Sequence, residues 1–269
     1  MVKKLYKHEF LAWLRVIPFF WMATLFTAGV NRIVQIFDND NLYYDILMTS
    51  SLVIYILAMF VTLATPTVFG IVRFYKNFFT GEGYLTFTLP ATKRQLLWVK
   101  ISTAVCLSAA SALVCILSGC IVMAGEVLDE VWKAAIYLLQ KIPTDGILHL
   151  SGWGLEILVL ILLGAVGSHL YYYTCICIGQ TFRKNRILAA VGVHFGFYVV
   201  GQVLSTVSAV LLTILGEMGV WDPLSEFFKN NPELCIHLIF AGGILLYMLI
   251  SWAYWAVCHW VIRKKLNLE

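Results

Sequence analysis

The chain has 269 residues, of which 61% are hydrophobic and 13% charged, with a formal net charge of +4. A soluble globular protein is about 45–50% apolar and about 25% charged, so this chain lacks the polar surface to cover a water-soluble body. A mean hydropathy of +0.84 and hydrophobic runs recurring along the whole length predict an all-α, polytopic membrane protein, with residues 1–269 forming one membrane domain.

Residues 1–15 set Leu5, Phe10, Leu11, Trp13 and Leu14 against Lys3, Lys4, Lys7 and Glu9. That pattern predicts an N-terminal interfacial helix with Glu9 on its polar face. No A-x-A cleavage site follows, so the segment does not read as a removed signal peptide. A bilayer core takes about 20 apolar residues of helix. Six stretches meet that length, at 16–37, 46–72, 97–124, 152–179, 188–215 and 234–262. Arg32 interrupts the first near its outer end, where a long side chain reaches the headgroups. Pro18 and Pro66 lie inside spans and mark kinks, and Thr65 and Thr67 flank Pro66 as hydroxyls able to satisfy freed carbonyls.

Between the second and third spans lies a polar segment, 73–100. The 125–150 loop contains LDEVWKAAIYLLQ, whose apolar residues share one helical face, predicting a short helix on the outer surface. In the fifth span Gly192 and Gly196 form G-x-x-x-G, a surface for close helix approach, read first as intramolecular packing and second as a dimer contact. The 216–233 loop offers Trp221, Phe227 and Phe228 as interfacial anchors.

Orientation follows the lysines and arginines. With the N-terminus inside, Lys3, Lys4, Lys7, Arg15, Arg73, Lys76, Lys93, Arg94, Lys100, Arg183, Lys184, Arg186, Arg263, Lys264 and Lys265 are cytoplasmic. Only Arg32, Lys133, Lys141 and Lys229 fall outside. Acids such as Asp38, Asp40, Glu126, Asp145 and Glu226 gather on the outer face. Both termini are therefore expected in the cytoplasm.

No catalytic arrangement stands out. The sequence contains no G-x-x-x-x-G-K-[ST], no G-x-S-x-G and no H-E-x-x-H, and no enzymatic activity, bound cofactor, metal or nucleic-acid partner is expected of it. Seven cysteines, at 106, 115, 120, 175, 177, 235 and 258, are scattered through apolar runs and read as packing residues, not as a disulfide framework. Ionisable groups at membrane depth are functional candidates because burying them is costly. His169 and His194 are the deepest, Tyr172 stands beside His169 in a run of three tyrosines, and Glu156 lies near the outer end of the fourth span. Each has a plainer reading, as a neutral histidine bonded to a neighbouring helix or as an acid at the interface.

The most informative stretch is RFYKNFFTGEGYLTFTLPATKRQLLWVK, residues 73–100. It is basic at both ends, yet its middle holds Tyr84, Leu85, Phe87 and Leu89, and apolar groups on a short polar loop invite a partner surface. The run F-Y-K-N-F-F-T-G-E-G-Y-L-T-F-T-L-P, followed by a basic pair and Q-L-L-x-x-K, resembles the loop between the second and third helices in ABC-2 type permeases of Firmicutes. The resemblance implies a permease subunit in a bacterial cell membrane, exporting a peptide-like or lipid-like substrate. It implies a cytoplasmic coupling helix over 81–92, with Glu82, Gly83, Tyr84, Leu85, Thr86 and Phe87 contacting a separate ATP-binding cassette ATPase. That partner would hold the ATP and Mg, and a second permease copy or sibling would complete the pathway. Two other classes stay open: an ion- or proton-coupled secondary carrier, and a membrane sensor or enzyme subunit without transport.

Overall fold

The computed structural model of the protein describes residues 2–37, 41–88, 90–141, 144–182, 184–220 and 222–264. Asp38, Asp40, Leu89, Arg183, Trp221 and Lys265 lie outside the described residues, as do the side chains of Glu126, Asp145 and Glu226. Ten helices and no strands are found among the described residues: α1 (Val2–Trp13), α2 (Ile17–Ile36), α3 (Leu42–Phe79), α4 (Gly81–Thr88), α5 (Lys93–Val122), α6 (Glu126–Lys141), α7 (Thr144–Gly179), α8 (Arg186–Glu217), α9 (Asp222–Asn230) and α10 (Pro232–Lys264). Six of them, α2, α3, α5, α7 (from Ser151), α8 and α10, are long and apolar enough to cross a membrane. This is the architecture of a multi-pass membrane protein.

The ends of the elements differ from the hydropathy pattern in an instructive way. Helix α3 extends from Leu42 to Phe79, well past both ends of the 46–72 stretch, and α7 starts eight residues before 152. Apolarity marks the part of a helix that lipid covers; the backbone hydrogen bonds continue beyond it. Much of the polar segment 73–100 is therefore helix, and only 80–92 leaves the two long elements.

The chain divides into two compact units, Met1–Ile147 and Leu148–Glu269. In the first, α2, α3 and α5 pack together and α1 lies against α5. Trp13, Ile17, Ala104 and Leu107 form a buried cluster, with Phe10, Trp21 and Phe69 against it. Side-chain hydrogen bonds tie the long helices where hydrocarbon supplies no competing water. Thr24 and Thr62 hydroxyls meet at 2.6 Å, Trp21 Nε1 donates to Ser111 at 2.9 Å, and Tyr55 and Ser118 hydroxyls lie 3.0 Å apart. Pro66 sits inside α3, and Thr65 Oγ1 donates to the Val61 carbonyl at 2.7 Å, next to the carbonyl the proline leaves without its usual donor.

In the second unit, Thr174 on α7 donates to the Tyr254 carbonyl of α10 at 3.1 Å and meets Cys258 Sγ at 3.2 Å. The end of α7 approaches the start of α8 so closely that a Cβ on Gly179 would lie 2.6 Å from the backbone of Ala190. The expected intramolecular use of Gly192 and Gly196 is not found: a Cβ at either position meets nothing within 4 Å. No residue of α8 is buried, and both glycines are exposed.

Candidate functional site

The segment that leaves the membrane helices is held at both ends. Thr80 is extended and breaks α3 from α4, and the Gly83 amide donates to the Thr80 carbonyl at 2.7 Å. Thr92 and Gln95 form a reciprocal capping box at the start of α5, satisfying two amides that a helix start leaves without partners. Helix α4 ends at Thr88, so the helix expected over 81–92 is shorter, with 90–92 forming the bend into the cap.

Among the residues expected to face a partner, the structure separates two groups. Tyr84 and Leu85 are 67% and 69% exposed, and Glu82 is exposed beside them. Gly83 is buried, Thr86 and Phe87 half-buried. Phe87 packs edge-on against Phe78 of α3 with ring centroids 5.6 Å apart, and Lys93 Nζ lies 5.4 Å from its ring centroid. Phe87 therefore anchors α4 to its neighbours while remaining partly exposed.

Beneath α4 lies a cluster that the sequence reading missed. Glu9 is not on a solvated face of α1; it is buried between two cations from the ends of the 73–100 segment. Arg73 Nε and Nη2 donate to Glu9 Oε1 and Oε2 at 2.8 and 3.0 Å, and Lys100 Nζ donates to Oε2 at 2.7 Å. Trp13 Nε1 donates to Oε1 at 3.2 Å. The Asn77 amide, in the orientation that satisfies its neighbours, donates to the Arg73 carbonyl at 2.8 Å and accepts from Lys100 at 3.3 Å. Burial alone would raise the Glu9 pKa; the Arg73 hydrogen bonds and the Lys100 charge outweigh it and hold the carboxyl at about 2. One signal was available in the sequence, since Glu9 is the only acid before Asp38.

The membrane-depth candidates do not form one site. Tyr172 and His194 come together, their rings stacked with centroids 5.9 Å apart, while the Tyr171 hydroxyl lies 2.8 Å from His194 Nδ1. Tyr171 and Tyr172, with Tyr247 and Tyr254 of α10, line a cavity of about 400 Å³ beside Gly164 and Gly167. His169 is buried and lies against Tyr173, with ring centroids 6.3 Å apart, outside that lining. Glu156 lies 16 residues before Tyr172, about 24 Å along α7, and its Oε1 is 2.7 Å from His237 Nδ1 of α10. His237 was missed; its place near the start of the sixth span matched that of Glu156 at the outer end of the fourth.

No group of three or more His, Cys, Asp or Glu that could hold a metal ion occurs among the described residues. Compared with family models, with curated proteins and with solved structures, the chain matches none.

Proposed function

We propose that this chain is the permease subunit of an ABC-2 type transporter in a bacterial cell membrane, with both termini cytoplasmic. In this reading a separate ATPase drives it and the substrate is peptide-like or lipid-like. The observation that carries this is α4: an eight-residue helix between the second and third spans that turns Tyr84 and Leu85 outward while Phe87 and the Thr92 cap hold it in place. A partner pressing on α4 moves α3 through the Phe87–Phe78 contact. The Glu9 cluster then links α3 to α1 and α5, so the load reaches three helices of the first unit. Resemblance of residues 73–100 to the coupling loop of those permeases supports the same reading.

The test is co-purification of the tagged chain with its ATPase from native membranes. Replacing both Tyr84 and Leu85 with Ala is expected to abolish recovery of the ATPase, since apolar anchors in such contacts contribute about 2 kcal/mol or more each. Membrane insertion should be unchanged, because neither residue lies in a span. A double variant that assembles and transports normally removes the coupling role.

One observation favours a second reading, a proton-coupled carrier: the Glu156–His237 pair is an acid and an imidazole in contact between two spans. Transport that persists without ATP and collapses with a protonophore would select it.

A further inference from the structure

In the first unit, α1, α3, α4 and α5 line an open-mouthed cavity of about 380 Å³, within the range of about 300–1,000 Å³ usual for small-molecule sites. Its lining carries three cations, Lys4, Arg73 and Lys100, against one carboxylate, Glu9. The side chains of Lys100 and Arg73 are only 8% and 23% exposed. Both Glu9 oxygens are already engaged, Oε1 by Arg73 and Trp13 and Oε2 by Arg73 and Lys100. One positive charge is thus in surplus below the surface before Lys4 at the rim is considered. The other polar groups facing the cavity, His8, Asn77 and Thr86, bring no negative charge. Glu82 on α4 is within electrostatic reach of Lys100 but is exposed and outside the lining. Taking a charge out of water without a counter-charge is costly, and an anion in the cavity removes that cost.

The rest of the wall indicates the kind of anion. Leu5, Leu96 and Val99 give the cavity an apolar flank. Helix α3 has 38 residues and is about 57 Å long, far beyond the roughly 30 Å of hydrocarbon. Arg73 directly follows the apolar 46–72 stretch, which sets it at the edge of the hydrocarbon, where basic pockets between helices capture acidic lipids. We propose that this cavity binds the phosphate of an anionic lipid headgroup, with Arg73, Lys100 and Lys4 as its charge partners and the Leu5, Leu96 and Val99 wall against the lipid's apolar part. The proposal concerns this chain alone and does not depend on what drives it.

The experiment uses the purified full chain in neutral detergent, with thermal unfolding and native mass spectrometry as readouts. Phosphatidylglycerol is expected to raise the melting temperature by several degrees and to stay bound, and phosphatidylcholine to do neither. Arg73→Gln leaves a neutral Glu9–Lys100 pair and should weaken phosphatidylglycerol binding about tenfold or more. Lys4→Gln, a surface change that does not threaten the fold, should weaken it less. Glu9→Gln enlarges the positive surplus and should enlarge the lipid-induced shift. An equal shift with inorganic phosphate supports the anion site and assigns it to a soluble phosphate. Equal shifts with the two lipids, or variants that all behave as the unaltered chain, overturn the proposal.

Discussion

At the scale of single residues, Glu9 ties three helices of the first unit together. Its carboxylate accepts from three side chains, and removing it leaves Arg73 and Lys100 facing each other without a counter-charge. Glu9→Ala should therefore cost about 3 kcal/mol or more, read as a lowered melting temperature in detergent. The sign with pH follows from its depressed pKa, about 2 against a normal value of 4.5. The stability it contributes is complete above about pH 4.5 and is lost as pH falls towards 2. In Glu9→Gln this part of the acid dependence should be absent. A second residue-scale expectation concerns Gly179, where a Cβ would meet Ala190 at 2.6 Å. Gly179→Ala should destabilise by about 1–3 kcal/mol, the usual cost of overpacking. Gly192→Ala and Gly196→Ala, with open space before them, should be neutral or gain up to about 1 kcal/mol as helical glycines replaced by alanine. Thermal unfolding of the three variants side by side checks the contrast.

At the scale of the element, α4 has two sides with different roles. Phe87→Ala removes the ring that touches Phe78 and Lys93, and aromatic contacts of this kind contribute about 0.5–1.5 kcal/mol beyond the area they bury. The expected result is a loosened helix, seen as faster proteolytic nicking within 80–92, since cleavage follows local opening. Tyr84→Ala should leave nicking unchanged, because that ring is 67% exposed. Hydropathy made the segment stand out through Tyr84, Leu85 and Phe87 between basic flanks. It did not separate the outward pair from the anchoring ring, because an eight-residue helix offers too few turns for a periodic pattern and the deciding contact is Phe78, nine residues upstream on another helix.

At the scale of the whole molecule, six long apolar helices and the bias of Lys and Arg predict cytoplasmic termini. Reporter domains fused to either end should be active inside the cell, and one inserted near Lys133 active only outside. The opposite pattern would invert the orientation and move α4 to the external face, which would remove its role as an ATPase contact. The positive-inside bias is a property of short loops, so it is legible without any tertiary structure.

The sequence alone determined the all-α class, the six apolar stretches and the segment between the second and third of them, because lipid imposes a length and a polarity that local composition records directly. Only the tertiary structure decided where the charges go. Glu9, Arg73 and Lys100 lie 64 and 91 residues apart in the chain, and the amphipathic pattern of α1 put Glu9 with the lysines on its polar face. Packing of α1 against α5 buries Glu9 alone of that face, while Lys3, Lys4 and Lys7 stay exposed. The same holds for Glu156 and His237, 81 residues apart, and for the stacking of Tyr172 on His194. Helical periodicity records which face is polar; whether that face meets water or an opposite charge on another helix is settled by which helices pack together.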